Sequence, residues 1–154
     1  MGRVSGRSCI VTGAAQGIGR AIGEALLDEG ADVCFADLNG DKVRDVAEAN
    51  GDRAARGGGK VSWAQVDVTR RDQVRAMIAH AVDVFGKLDV KFNNAGVNKP
   101  MNFLDVTGMQ EAARQMIAQG EGPDGIAGKI VNTASIASRQ GFDNVAPYCA
   151  SKWA

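Results

Sequence analysis

Histidine and tyrosine each occur once in this 154-residue chain, and proline and cysteine three times each. Neither sign of charge is in excess, because eighteen Lys and Arg balance eighteen Asp and Glu. No apolar run approaches the length of a membrane span. Each shortage excludes something. The single histidine, His80, falls on a predicted helix at a surface or boundary position, which excludes His-based triads and most zinc sites, so no metal is expected. The cysteines Cys9, Cys34 and Cys149 are odd in number and form no CxxC pair, which argues against a disulfide framework and for a reducing compartment. Cys9 and Cys34 lie in apolar runs and read as small core residues. Cys149 has no histidine nearby to activate it. The charge balance provides no global field for nucleic acid or anionic membrane. The amino terminus lacks the apolar core of a signal peptide, and Gly6 stands where myristoylation needs Ser or Thr. A soluble, cytoplasmic protein of one domain over residues 1–154 is expected.

What the chain does have is glycine, twenty residues of it, and an alternation of short apolar runs with longer amphipathic ones. Strands are predicted at 8–12, 31–37, 60–68, 87–94 and 128–135. Helices are predicted at 17–30 (with Ile18, Ile22, Ala25 and Leu26 apolar), at 40–50 (Val43, Val46, Ala47) and at 70–86 (Val74, Met77, Ile78, Ala81, Val82, Phe85). A further helix is predicted at 108–120, with Met109, Ala112, Ala113, Met116 and Ile117 on one stripe and a capping box from Thr107 and Gln110. Residues 52–59 read as a polar, Gly-rich break, Arg70, Arg71 and Arg75 as a solvated helix face, and Pro147 as the opening of a last helix. Strands separated by helical crossovers make a doubly wound parallel α/β sheet, Rossmann-like, with about five strands. Ligands of such sheets bind at the carboxyl ends of the strands.

The residues after each strand are therefore the ones that matter. "TGAAQGIG" (12–19) places Gly13, Gly17 and Gly19 where the first strand turns into a helix, so that a phosphate can approach backbone N–H groups at the positive helix end. The second strand ends in Asp37, a carboxylate able to accept from ribose hydroxyls and to repel a 2′-phosphate. Neither Leu38 nor Gln16 brings a cation for such a phosphate, which favours NAD over NADP. Asp67, with the Val68 backbone, reads equally as an adenine contact or as a helix N-cap. "NNAG" (93–96) brings the amides of Asn93 and Asn94 and the bare backbone of Gly96 to the end of the fourth strand. Tyr148 and Lys152 face the same way at i,i+4 on a helix. A phenol titrates near ~10, so making it a base at neutral pH needs a shift of ~3 units, about 4 kcal/mol. A nearby ammonium acts in that direction. Ser135 can donate to a carbonyl or alcohol oxygen.

Together "TGAAQGIG", Asp37, "DV" at 67–68, "NNAG", Ser135 and "YCASK" resemble the short-chain dehydrogenase/reductase family over nearly the whole chain. The resemblance implies an NAD-dependent oxidoreductase acting on a small alcohol or ketone, most like the polyol- and acetoin-type members, and a homodimer or homotetramer. It implies Ser135, Tyr148 and Lys152 as the catalytic set. It implies a cofactor cradle of Gly13, Gln16, Gly17, Ile18, Gly19, Asp37, Leu38, Asp67, Val68, Asn94, Ala95 and Gly96, with Tyr148 and Lys152, while Asn93 is similar to a residue that shapes the pocket. Two departures stand out. The segment between "NNAG" and the fifth strand is shorter than in the family and has no Asn between Asn102 and Asn132, and the family's C-terminal third does not follow Ala154. A catalytically impaired dinucleotide-binding remnant is therefore the alternative, with an NADP-preferring reductase behind it. Gln140, Phe142 and Asn144 fall where substrate selectivity would arise.

Overall fold

The computed structural model describes residues 2–96 and 107–134. In chain order the elements are β1 (Ser8–Thr12), α1 (Gly17–Asp28), β2 (Asp32–Asp37), α2 (Gly40–Ala49), α3 (Gly51–Gly57), β3 (Val61–Gln65), α4 (Arg71–Phe85), β4 (Val90–Asn93), α5 (Thr107–Gln119) and β5 (Lys129–Asn132). All strand pairs are parallel, and their order across the sheet is β3-β2-β1-β4-β5. The chain turns back on itself between β1 and β4, so the crevice of the sheet opens at their carboxyl ends.

The sheet is apolar on both faces because it is covered on both. Cys9, Val11, Val33 and Phe35 face one core with α1, α2 and α3, and Ile10, Cys34 and Ala36 face the other with α4 and α5. Cys9 and Cys34 are buried and form no disulfide among the described residues, as their apolar surroundings predicted. Burial pushes the Cys9 thiol up to about 12 and the Cys34 thiol to about 11. Val43, Val46 and Ala47 of α2 are buried, as are Val74, Met77, Ile78 and Ala81 of α4.

Four expectations are corrected. The 52–59 break is helix α3: Ala54 is buried against the α1 side, Arg53 reaches Glu24 and Asp28 of α1 at 3.4 Å each, and Gly58 closes the turn in the left-handed region. Alanine and arginine are good helix formers, and here they have something to pack on. The buried stripe of α1 is Gly19, Gly23 and Leu27, with Ile18 exposed. A Cβ on Gly23 would come within 2.3 Å of the Phe35 ring, so the helix lies too close to β2 for any larger residue. Ile117 of α5 is 75% exposed, and the fourth buried position on that helix is Glu111. Its carboxylate draws in Arg71 (3.1 Å), Arg75 (2.9 Å) and Arg114 (2.6 Å), so Arg71 and Arg75 tie α4 to α5 and are not merely solvated.

The Gln110 side chain also accepts from Arg71, at 2.7 Å. Gln119 at the far end of α5 exchanges hydrogen bonds with the backbone of Leu88 (3.0 and 2.8 Å), fixing the helix to the start of β4. Among the described residues β5 is an outer strand, and Trp63 on β3, the other outer strand, is 37% exposed. No described helix is long and apolar enough to cross a membrane.

Candidate dinucleotide site

Thr12 ends β1 and organises the crevice. Its hydroxyl donates to Phe92 O (3.1 Å) and accepts from the backbone N–H groups of Asn94 and Ala95 (3.2 Å each). The Asn94 amide donates to Thr12 O (3.0 Å), and its oxygen accepts from Thr133 Oγ1 (3.2 Å). Asn94 thus clamps the ends of β1, β4 and β5 together. The glycines of the first turn serve this clamp in different ways. A Cβ on Gly19 would lie 2.3 Å from Gly13 O and 2.5 Å from Asn94 Nδ2, so that glycine is required by the protein itself. Gly17 has φ +55°, and a Cβ there would meet nothing within 4 Å. Its open side is the amino end of α1, where no side chain caps the helix and no acidic residue sits in the first turn. Uncapped N–H groups at a positive helix end form a ready seat for an anion.

Asp37 lies beside this turn and holds it. Oδ2 accepts from Ala15 N and Oδ1 from Asn39 N, both at 3.0 Å. Each carboxylate oxygen has a second lone pair, so accepting from ribose hydroxyls remains compatible with this role. Ile18 and Leu38 flank the turn at 67% and 63% exposed, apolar surfaces that a bound ligand would cover. Gln16 brings no cation of its own, but its side chain accepts from Lys42 Nζ at 2.6 Å. Lys42 was missed at the sequence level because it lies on α2, five residues beyond Asp37, where helical spacing says little about which loop it reaches.

Asp67 is not an N-cap. Its Oδ1 accepts from the N–H and hydroxyl of Thr69 (2.9 and 2.7 Å), its N–H donates to Gln73 Oε1 (2.7 Å), and Arg70 is the N-cap of α4. Val68 packs partly against the α4-side core. Gly96 is exposed at the end of the described stretch.

The second missed residue is Lys91, in the middle of β4 and 1% exposed. Burial pushes its amine down to about 8. Its Nζ donates to Asn93 Oδ1, so the Asn93 side chain turns to the α5 face while the Asn94 side chain turns to the end of β1. The signal was present in "DVKFNN", a lysine alternating with apolar residues in a strand predicted to be covered on both faces.

Among the described residues no group of His, Cys, Asp and Glu could hold a metal. His80 is half-buried, and its Nε2 has no partner there. Ser135, Tyr148 and Lys152 lie outside the described residues, as do Asn102, Gln140, Phe142, Asn144, Cys149, Trp153 and the helix predicted from Pro147.

Known proteins share this fold. A family profile described as short chain dehydrogenase matches residues 7–154. A sorbitol dehydrogenase of Cereibacter sphaeroides is 34% identical over 167 residues, covering 97% of this chain and 60% of its own length. That alignment is longer than the chain, so residues of the relative fall opposite gaps here. Human 15-hydroxyprostaglandin dehydrogenase [NAD(+)] is 36% identical over 97% of this chain and 58% of its own. The solved structure of an NAD+-bound xylitol dehydrogenase superposes with a TM-score of 0.79 at 30% identity, over 98% of this chain and 61% of that one. The chain spans about three-fifths of the length of the curated relatives it matches.

Proposed function

The chain belongs to the short-chain dehydrogenase family, and from that premise we propose that it binds NAD(H) across the ends of β1, β2 and β4 and serves the oxidation of a secondary alcohol or the reverse reduction of a ketone. A polyol or acetoin-like compound is the proposed substrate, in line with the printed names of the sorbitol and xylitol relatives. The observation that carries the reading is the uncapped amino end of α1, opened by Gly17 and set beside Asp37. The pyrophosphate would lie on those N–H groups, and the adenosine ribose on Asp37. Ile18 and Leu38 would cover its apolar faces, with Asp67 and Val68 near the adenine and Ala95 and Gly96 along the β4 end. The nicotinamide, when bound, supplies hydride exchange.

The chain's own chemistry is then proton transfer. Tyr148 takes the hydroxyl proton, Lys152 four residues later in the sequence favours the phenolate, and Ser135 donates to the substrate oxygen. Lys42 supports a second reading. Its ammonium on Gln16, at the ribose end of the turn, is a cation that a 2′-phosphate could use, which favours NADP.

Fluorescence titration with NADH and NADPH, followed by turnover on a panel of polyols and ketones, tests all of this. Tighter NADH binding and turnover abolished by Tyr148→Phe support the proposal. A preference for NADPH that Lys42→Met removes supports the second reading. Binding with no turnover on any substrate refutes the dehydrogenase assignment for this chain and leaves a dinucleotide-binding remnant.

A further inference from the structure

Lys91 has no place in the chemistry above, yet a buried ammonium with no carboxylate bonded to it among the described residues is costly. It stands in register between Ile10 of β1 and Ile130 of β5. Its Nζ lies under the start of α5, where a Cβ on Gly108 would be 3.4 Å away. An ammonium has three donors and no acceptor. Its partner Asn93 must therefore present Oδ1. That leaves the Asn93 Nδ2 to face the other way, and it donates to Asn132 Oδ1 at 2.9 Å. Asn132 must then turn its own Nδ2 outward, and it donates to Met109 Sδ on α5 at 3.5 Å. A thioether only accepts. The chain of hydrogen bonds is therefore bounded by a donor-only group and an acceptor-only group, and it has one direction.

This chain joins β4, β5 and α5 on the side of the sheet away from the glycine turn. On the other side Thr133 N donates to Asn93 O (3.1 Å), and Thr133 Oγ1 donates to Asn94 Oδ1 (3.2 Å). The end of β5 is thus gripped from two directions, at Asn132 and Thr133, three and two residues before Ser135.

We propose that Lys91 is a positioning residue whose ammonium sets the direction of the Asn93–Asn132–Met109 hydrogen-bond chain and so fixes the end of β5 and the start of α5 against β4. The consequence for cofactor binding rests on the function proposed above; the direction of the chain does not.

The test compares Lys91→Met, of similar length with no donor, with Lys91→Arg, which keeps a donor-only cation. Side-chain amide resonances of Asn93 and Asn132 are recorded by NMR, with NADH affinity alongside. In Lys91→Met the Asn132 amide is expected to shift or split into two sets, because the donor-only end that holds Asn93 is gone and only the weaker thioether end remains. Lys91→Arg is expected to restore the single wild-type set, and NADH affinity to fall several-fold in the Met variant and recover in the Arg variant. A general loss of stability would not produce that reversal and rescue.

Asn93→Asp serves if the Met variant does not fold. It still accepts from Lys91 but cannot donate onward, so the Asn132 amide is expected to invert. Unmoved Asn132 resonances in folded Lys91→Met or in Asn93→Asp overturn the proposal. If the amides respond as described but the wild type binds no NADH, the positioning role stands and the dinucleotide reading falls.

Discussion

Replacing Gly17 and Gly19 separately by alanine distinguishes what the glycine turn does for the protein from what it does for a ligand. At Gly19 the new methyl would meet Gly13 O at 2.3 Å and Asn94 Nδ2 at 2.5 Å. Neither neighbour is a free side-chain end, since one is backbone and the other is bonded to Thr12 O. Overpacking of this kind costs about 1–3 kcal/mol. Displacing the Asn94 amide forfeits a hydrogen bond worth about 1 kcal/mol more. Gly19→Ala should therefore lose about 3 kcal/mol of folding stability.

At Gly17 the methyl meets nothing within 4 Å, and the only intrinsic cost is φ +55°. That is about 1–2 kcal/mol for an alanine. The methyl would, however, occupy the open space over the amino end of α1. A phosphate oxygen seated there needs N···O distances near ~2.9 Å, so a methyl in that space should weaken NADH by about tenfold, roughly 1.4 kcal/mol. Urea unfolding and NADH fluorescence, measured on both variants, separate the two effects. Gly17→Ala with wild-type NADH affinity would refute the placement of the pyrophosphate, and Gly19→Ala with wild-type stability would refute the close packing.

Three further outcomes follow from buried and partly buried charge. Lys91 has its folded value lowered to about 8 from 10.5, so the unfolded chain binds the extra proton between those values and this residue's contribution to stability rises with pH across that window. The cost at neutral pH is on the order of 3 kcal/mol. The difference in stability between wild type and Lys91→Met should change by about that amount between pH 7 and 10.5, and a difference independent of pH would contradict the burial of a charged amine. Cys9 and Cys34 act in the opposite sense. Their folded values of about 12 and about 11 stand above the free-thiol value, so the stability they confer is complete below pH ~8.5 and is lost as pH rises through 11 and 12. The Cys9→Ala, Cys34→Ala double variant should show a flatter alkaline limb, and rapid native-state alkylation of either cysteine at pH 8 would contradict their burial. Glu111→Gln leaves Arg71, Arg75 and Arg114 without their shared carboxylate. It should lower the thermal midpoint, more at low than at high salt, and an unchanged midpoint at low salt would show that the cluster does not hold α4 to α5.

The architecture was legible because period and punctuation agreed: apolar runs of strand length, each followed by a turn and an amphipathic stretch, leave few topologies once crossovers are right-handed. The glycine turn and Asp37 were legible for the same reason, since position after a strand is a local property. Helix α3 was not, because its glycines dominated the reading while its one buried contact, Ala54, depends on α1. The α1 face was misread because close approach selects glycine over bulk, and a hydrophobicity pattern counts glycine as nothing. Lys42 and Lys91 were missed for a third reason. The partner of each side chain, Gln16 for one and Asn93 for the other, is set by tertiary register, and neither lysine belongs to a motif. The directed chain from Lys91 through Asn132 to Met109 is likewise a product of three elements meeting.

The central claim is that the carboxyl ends of β1 and β2 hold a dinucleotide, and titration of NADH into the 154-residue chain, with Asp37→Ala in parallel, tests it most directly. Saturable enhancement of NADH fluorescence in the wild type, weakened at least tenfold by Asp37→Ala in a variant that keeps its circular dichroism, is the predicted result. No saturable binding up to millimolar NADH, or equal binding by the folded Asp37→Ala variant, would contradict it.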